Sequence, residues 1–211
     1  MTSNREFGWV RVEATVAPLS LQAGAGRRQG LKNALGSALS VGADFLFTHD
    51  VEVTLEWFAT ERDRYQTHVA ADLDNVLKPL IDAATGPTGV MIDDNQVQSI
   101  RASWLTPGRM GEGFVLQFDA LSREDVATRA GTAFVEFSAD TCYMLPGAAR
   151  EHWPSFVNGF ARFVAIKDKM RAHGITEEVV ETMSPIARPW HSQRLRMQGF
   201  PVHHHTADLS L

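Results

Sequence analysis

The sequence of 211 residues predicts an α/β protein of the α+β kind. A small mixed sheet with two helices occupies residues 1–122, and an extension, 123–211, contains at least one amphipathic helix. Three observations carry this expectation. Two segments, Phe7 to Ala17 and Asp50 to Ala59, alternate polar and apolar side chains with a period of two. Two others repeat apolar residues at helical spacing. A polar run from Leu121 to Thr132 then separates these elements from the rest.

In the first strand Val10, Val12, Ala14 and Val16 line one face, and Pro18 ends it. A glycine-containing basic turn, Gly26-Arg27-Arg28-Gln29-Gly30, leads into a helix over about 28–41. The second strand, with Val51, Val53, Leu55 and Trp57 on one face, is expected to pair with the first. Leu73, Val76, Leu77, Leu80, Ile81 and Ala84 form one apolar stripe of a second helix, whose polar face carries Asp74, Asn75, Lys78 and Asp82. Pro79 removes the hydrogen bond to the carbonyl of Asn75, which predicts a kink or a loosened first turn. Gly86-Pro87-Thr88-Gly89 reads as a turn, Val90 to Ile92 as a short strand, and Val97 to Trp104 as a further strand with Phe114 to Phe118 as its hairpin partner. In the extension, Ala133 to Phe137 is a strand, Ser155 to His173 an amphipathic helix, and Glu177 to Met183 a short helix. From Ser184 onward no periodicity is visible, and His203-His204-His205 reads as part of a mobile tail rather than a metal site.

Composition sets bounds on function. Hydrophobic residues at 44% and charged residues at 21% are ordinary for a globular chain. A single cysteine, Cys142, and an N-terminus without an apolar core point to a reducing cytoplasm, and no apolar run approaches the roughly 18 residues a membrane span needs. The net charge of −5 argues against a protein that coats nucleic acid through lysine and arginine. Residues 1–122 hold 10 Lys and Arg against 15 Asp and Glu, so the acidity travels with the acidic motifs.

Those motifs are Asp72-Leu73-Asp74-Asn75 and Asp93-Asp94. Each has a plain reading on its own: a helix cap, a turn, and for Lys78 an exposed pair with Asp74 four residues earlier. Together, four acids would repel one another unless a cation sat between them. Hard divalent cations take oxygen ligands, and a helix, a turn and a short returning segment bring Asp93-Asp94 back toward Asp72 and Asp74. Neighbouring side chains on extended backbone point opposite ways, so one of Asp93 and Asp94 is the expected ligand and the other auxiliary.

The run from Asp72 to Ala83, with its DLDNVLK start, followed after a glycine-rich turn by Asp93-Asp94-Asn95-Gln96-Val97, resembles the signature of the RusA family of Holliday-junction resolvases. The resemblance implies a small RusA-like mixed fold in which Asp72, Asp74 and Asp94 bind Mg2+, with Mn2+ able to substitute, which leaves Asp93 as the auxiliary acid of its pair. It also implies that Lys78 assists catalysis, that the protein is a homodimer, and that branched DNA is the substrate. Arg27, Arg28 and Lys32 are the expected contacts to the DNA backbone.

Two other functions compete. A haloacid-dehalogenase-type phosphohydrolase would use Asp72-Leu73-Asp74-Asn75-Val76 as its nucleophile motif, but Gln66 to Ala70 is a poor strand to precede it and Asp93-Asp94 follows too soon. A catalytically silent DNA-binding or partner-binding protein on the same fold is opposed by the intact acids and Lys78. An EF-hand is excluded because Val76 and Ala83 occupy ligand positions.

Overall fold

The computed structural model describes residues 1–66, 72–108, 111–182 and 187–206, so the expectation for 67–70, and for Met183, lies outside the described residues. The chain divides into two units, Met1–Ala127 and Thr128–Leu211.

The first unit is built on a five-stranded sheet of β1 (Thr2–Asn4), β2 (Trp9–Ala14), β4 (Val51–Phe58), β5 (Val97–Leu105) and β6 (Gly113–Ala120), in the order β1-β2-β6-β4-β5. Its helices are α1 (Ala25–Gly42), α2 (Glu61–Gln66) and α3 (Leu73–Ala83), of which the short α2 has no apolar periodicity to announce it. β3 (Phe45–Phe47) forms a small two-stranded sheet with β7 (Val126–Thr128). The alternation read in β4 is the burial observed: Val51, Val53, Leu55 and Trp57 are buried and the residues between them half-buried. They pack in one core with Leu35 and Leu39 of α1 and Val76, Leu77, Leu80 and Ile81 of α3.

Strand pairing departs from the sequence reading in two places. β4 does not pair with β2, because β6 lies between them, antiparallel to both. Nor is β6 the hairpin partner of β5, which runs parallel to β4 at the sheet's edge. The cause lies in the strands themselves. β6 buries Phe114, Leu116 and Phe118 on the face that meets the core and Val115 on the other, and takes the central slot. β5 exposes residues 98–101 and is reached from β4 through α3, a crossover that permits parallel pairing. Val90 to Ile92 is not a strand: Met91 makes only isolated bridges, to Phe47 and Thr85.

In the second unit β8 (Ala133–Ser138), β9 (Thr141–Leu145) and β10 (Val202–His204) form a sheet in the order β10-β8-β9. Helix α4 (Trp153–Ala172) packs Trp153 and Val157, with Phe160, Phe163 and Val164, against Val135, Tyr143 and Leu145. Helices α5 (Glu177–Thr182) and α6 (Ser192–Gln198) follow. The histidine run is therefore no mobile tail. Val202, His203 and His204 pair in parallel with Phe134, Val135 and Glu136, and a strand of three residues is too short to show a period in sequence.

Candidate functional site

Helix α3 separates its faces cleanly. Val76, Leu77, Leu80, Ile81 and Ala83 are buried, which leaves Asp74 and Lys78 exposed on the other side. Asp72 is the N-cap by backbone geometry, with φ −68° and ψ 153°, yet its carboxylate makes no capping hydrogen bond. An N-cap aspartate normally accepts from the second or third amide of its helix. Here that carboxylate stays available.

Pro79 does not break α3, and the helix runs continuously through it. The carbonyl of Asn75, deprived of its donor at position 79, accepts instead from the amide of Leu21 at 2.7 Å. A buried carbonyl without a partner is costly, so the proline converts a helical hydrogen bond into a tertiary one. The chain leading into α1 is thereby tied to the first turn of α3. Arg27, Arg28 and Lys32 follow on α1, all exposed, with no acidic side chain in its first turn.

The return from α3 is a tight turn. The amides of Val90 and Met91 both donate to the carbonyl of Ala84, at 2.8 and 3.1 Å. Gly89 passes so close to Ala84 that a Cβ on it would lie 2.0 Å from that carbonyl oxygen, so only glycine fits. The chain then enters a single 3-10 turn, Asp94–Gln96. Asp93 caps it: its carboxylate accepts from the amide of Asn95 at 2.9 Å and is 2% exposed. Gln96, wholly buried, completes a capping box, its Oε1 accepting from the amides of Ile92 (2.7 Å) and Asp93 (3.1 Å). Its Nε2 donates to the carbonyls of Phe47 (2.8 Å) and His49 (2.7 Å). One amide side chain thus closes the acidic turn with two hydrogen bonds and with two more fastens it to the end of β3 and the segment that leads into β4.

Lys78 joins α3 to the second acidic motif. Its ammonium donates to Asp94 Oδ2 and to Asp82 Oδ1, each at 2.6 Å. Burial lowers the pKa of Lys78, but the hydrogen bonds to Asp82 and Asp94 outweigh it and hold the group above the ordinary lysine value. Among the described residues no three acid, histidine or cysteine side chains close into a ready-made metal cage. Magnesium does not require one, since it keeps several waters and takes one or two carboxylates with substrate oxygens. An all-carboxylate donor set, with Asp72 and Asp74 exposed and free of capping duty, fits that chemistry. Asp93, by contrast, is committed to its own backbone turn.

The sequence reading missed two residues that build this site. Gln96 had a legible signal, because Asp93-Asp94-Asn95-Gln96 is an acid followed three residues later by glutamine, the capping-box spacing. Leu21 had none, since its role lies in its backbone amide.

Residues 28–111 match the family model described as Endodeoxyribonuclease RusA. The matched span takes in Arg28, Lys32, α3 with Asp72, Asp74 and Lys78, and the turn with Asp93 and Asp94. No curated protein matches the chain. No helix among the described residues is long and apolar enough to cross a membrane.

Proposed function

Residues 28–111 belong to the RusA family of endodeoxyribonucleases, and from that premise we propose that this chain is a magnesium-dependent, structure-selective endonuclease. It resolves four-way DNA junctions, by paired phosphodiester hydrolysis, in recombination or repair. The observation that carries this reading is the bond from Lys78 to Asp94 on the returning turn, which links α3, the helix that Asp72 caps and that carries Asp74, to the second acidic motif inside the matched span.

Asp72, Asp74 and Asp94 would hold the metal. Bound there, magnesium, or manganese in its place, supplies Lewis-acid polarisation of a phosphoryl oxygen and a lowered pKa for its coordinated water. Lys78 turns its ammonium to the same phosphate and offsets the negative charge that grows on the oxygens as the bond breaks. Asp93 and Gln96 keep the Asp94 turn fixed to the sheet while this happens. Arg27, Arg28 and Lys32 grip backbone phosphates, a role that offsets the repulsion between DNA and an otherwise acidic unit. A dimer with two-fold symmetry presents two such sites, one for each of the two strands nicked in a junction.

The test uses the full chain. Incubated with magnesium and a synthetic four-way junction, it should release nicked duplexes, leave linear duplex intact, and elute as a dimer. Asp74→Asn should abolish release while leaving the fold unchanged. If wild-type protein leaves the junction intact with both magnesium and manganese, the nuclease reading fails.

A further inference from the structure

The polar face of α3 carries one acid that the proposed chemistry does not use. Asp82 sits in the last turn of the helix, where the carbonyl ends of the peptide dipoles disfavour negative charge. No basic residue in that turn offsets it. Its partner is Lys78 one turn earlier, at 2.6 Å, both side chains 47% exposed. An exposed pair four residues apart contributes only a few tenths of a kcal/mol to a helix, and lysine preceding the acid is the weaker order. Helix stability therefore gives no reason for Asp82.

The site does. Lys78 divides its ammonium between Asp82 and Asp94 at equal distances. Asp94 Oδ2 cannot serve an ammonium and a divalent cation equally, because the two positive charges repel. Without a second anchor, the long lysine stem would carry the ammonium into solvent and its alignment would be lost. We propose that Asp82 is a positioning residue: it retains the Lys78 ammonium at the site when Asp94 turns to a divalent cation. The inference rests on the metal-dependent reading above and adds to it a residue that does not touch the substrate.

The experiment follows Lys78 directly. In the full chain labelled with 15N-lysine, the hydrogen-bonded Lys78 ammonium resonance is assigned by its loss in Lys78→Gln, and the protein is titrated with magnesium alone. The wild-type resonance should shift yet persist at saturation, that of Asp82→Asn should vanish into solvent exchange, and Asp82→Glu should restore it. Thermal midpoints should not move. On a four-way junction Asp82→Asn should lower kcat roughly ten- to a hundredfold, the scale expected when a reacting group is misplaced, with KM little changed. The proposal is overturned if magnesium does not perturb Lys78, if the wild-type resonance also vanishes, or if Asp82→Asn matches wild type. If wild type cleaves no junction while the difference between the two resonances stands, the nuclease reading falls and the hold of Asp82 on Lys78 is supported.

Discussion

The two acidic motifs look alike as sequence and stand in opposite mechanical situations. Asp72 and Asp74 lie at the open start of α3, exposed, with the Asp72 carboxylate outside the helix cap it nominally makes. In the second motif Asp93 is buried and locked to the amide of Asn95, and Asp94, one residue on, reaches Lys78. Solvation accounts for the contrast. A buried carboxylate must find donors, so Asp93 serves the fold, whereas an exposed one can wait for a ligand. Adjacent residues of the same type thus take different duties.

Mutations can break or sharpen this contrast, and the largest effect belongs to the open motif. Asp74→Asn should lower junction cleavage by more than the roughly hundredfold that loss of an outer partner of a metal site costs, with no change in thermal midpoint. In the locked motif the effect moves to stability. Gln96→Ala strips partners from two buried amides and two carbonyls and should cost on the order of 3 kcal/mol in urea unfolding. A cost below 1 kcal/mol would mean the acidic turn holds itself.

Asp93→Ala removes one cap bond and should cost about 1 kcal/mol, whereas Asp72→Ala should stay within a few tenths because no cap bond is lost. Equal costs at the two positions would erase the distinction. The second unit offers a third case, an acid held by a cation. Hydrogen bonds from Arg196 and Ser192 bring the carboxyl of Glu136 down to about 2. With its folded pKa depressed, its contribution is present above the unfolded value of about 4.3 and is lost as pH falls toward 2. Acid titration of Glu136→Gln should show a correspondingly weaker loss of stability over that window. The smallest effect is expected for Pro79→Ala, which returns an amide to α3 and lets Asn75 bond within its helix. Stability should change by under about 1 kcal/mol, while the Leu21 amide exchanges its hydrogen faster.

Much of the site was legible because α3 obeys a strict local period. The stripe from Leu73 to Ala84 fixes which side chains enter the core, and by exclusion Asp74, Lys78 and Asp82 face away from it. The consequence of Pro79 was half legible: the freed carbonyl of Asn75 follows from covalent structure, but its new partner is Leu21, more than fifty residues earlier. The helix continues through Pro79, and the carbonyl it frees is bonded by that distant amide. β10 escaped the sequence reading for a similar reason, since three residues that gain their bonds from Phe134 to Glu136 carry no pattern of their own.

By itself the sequence determined what local chemistry can dictate: the amphipathic helices, the alternation of β4, and the acidic motifs with their spacing. Only the tertiary structure decided the strand order, with β6 rather than β2 beside β4, and the fate of each acid. Those outcomes depend on which backbone groups come within hydrogen-bonding distance after the chain has folded. Asp93 is locked because Gln96 finds Phe47 and His49, and the Asp94 next to it comes within reach of Lys78 because that turn is held.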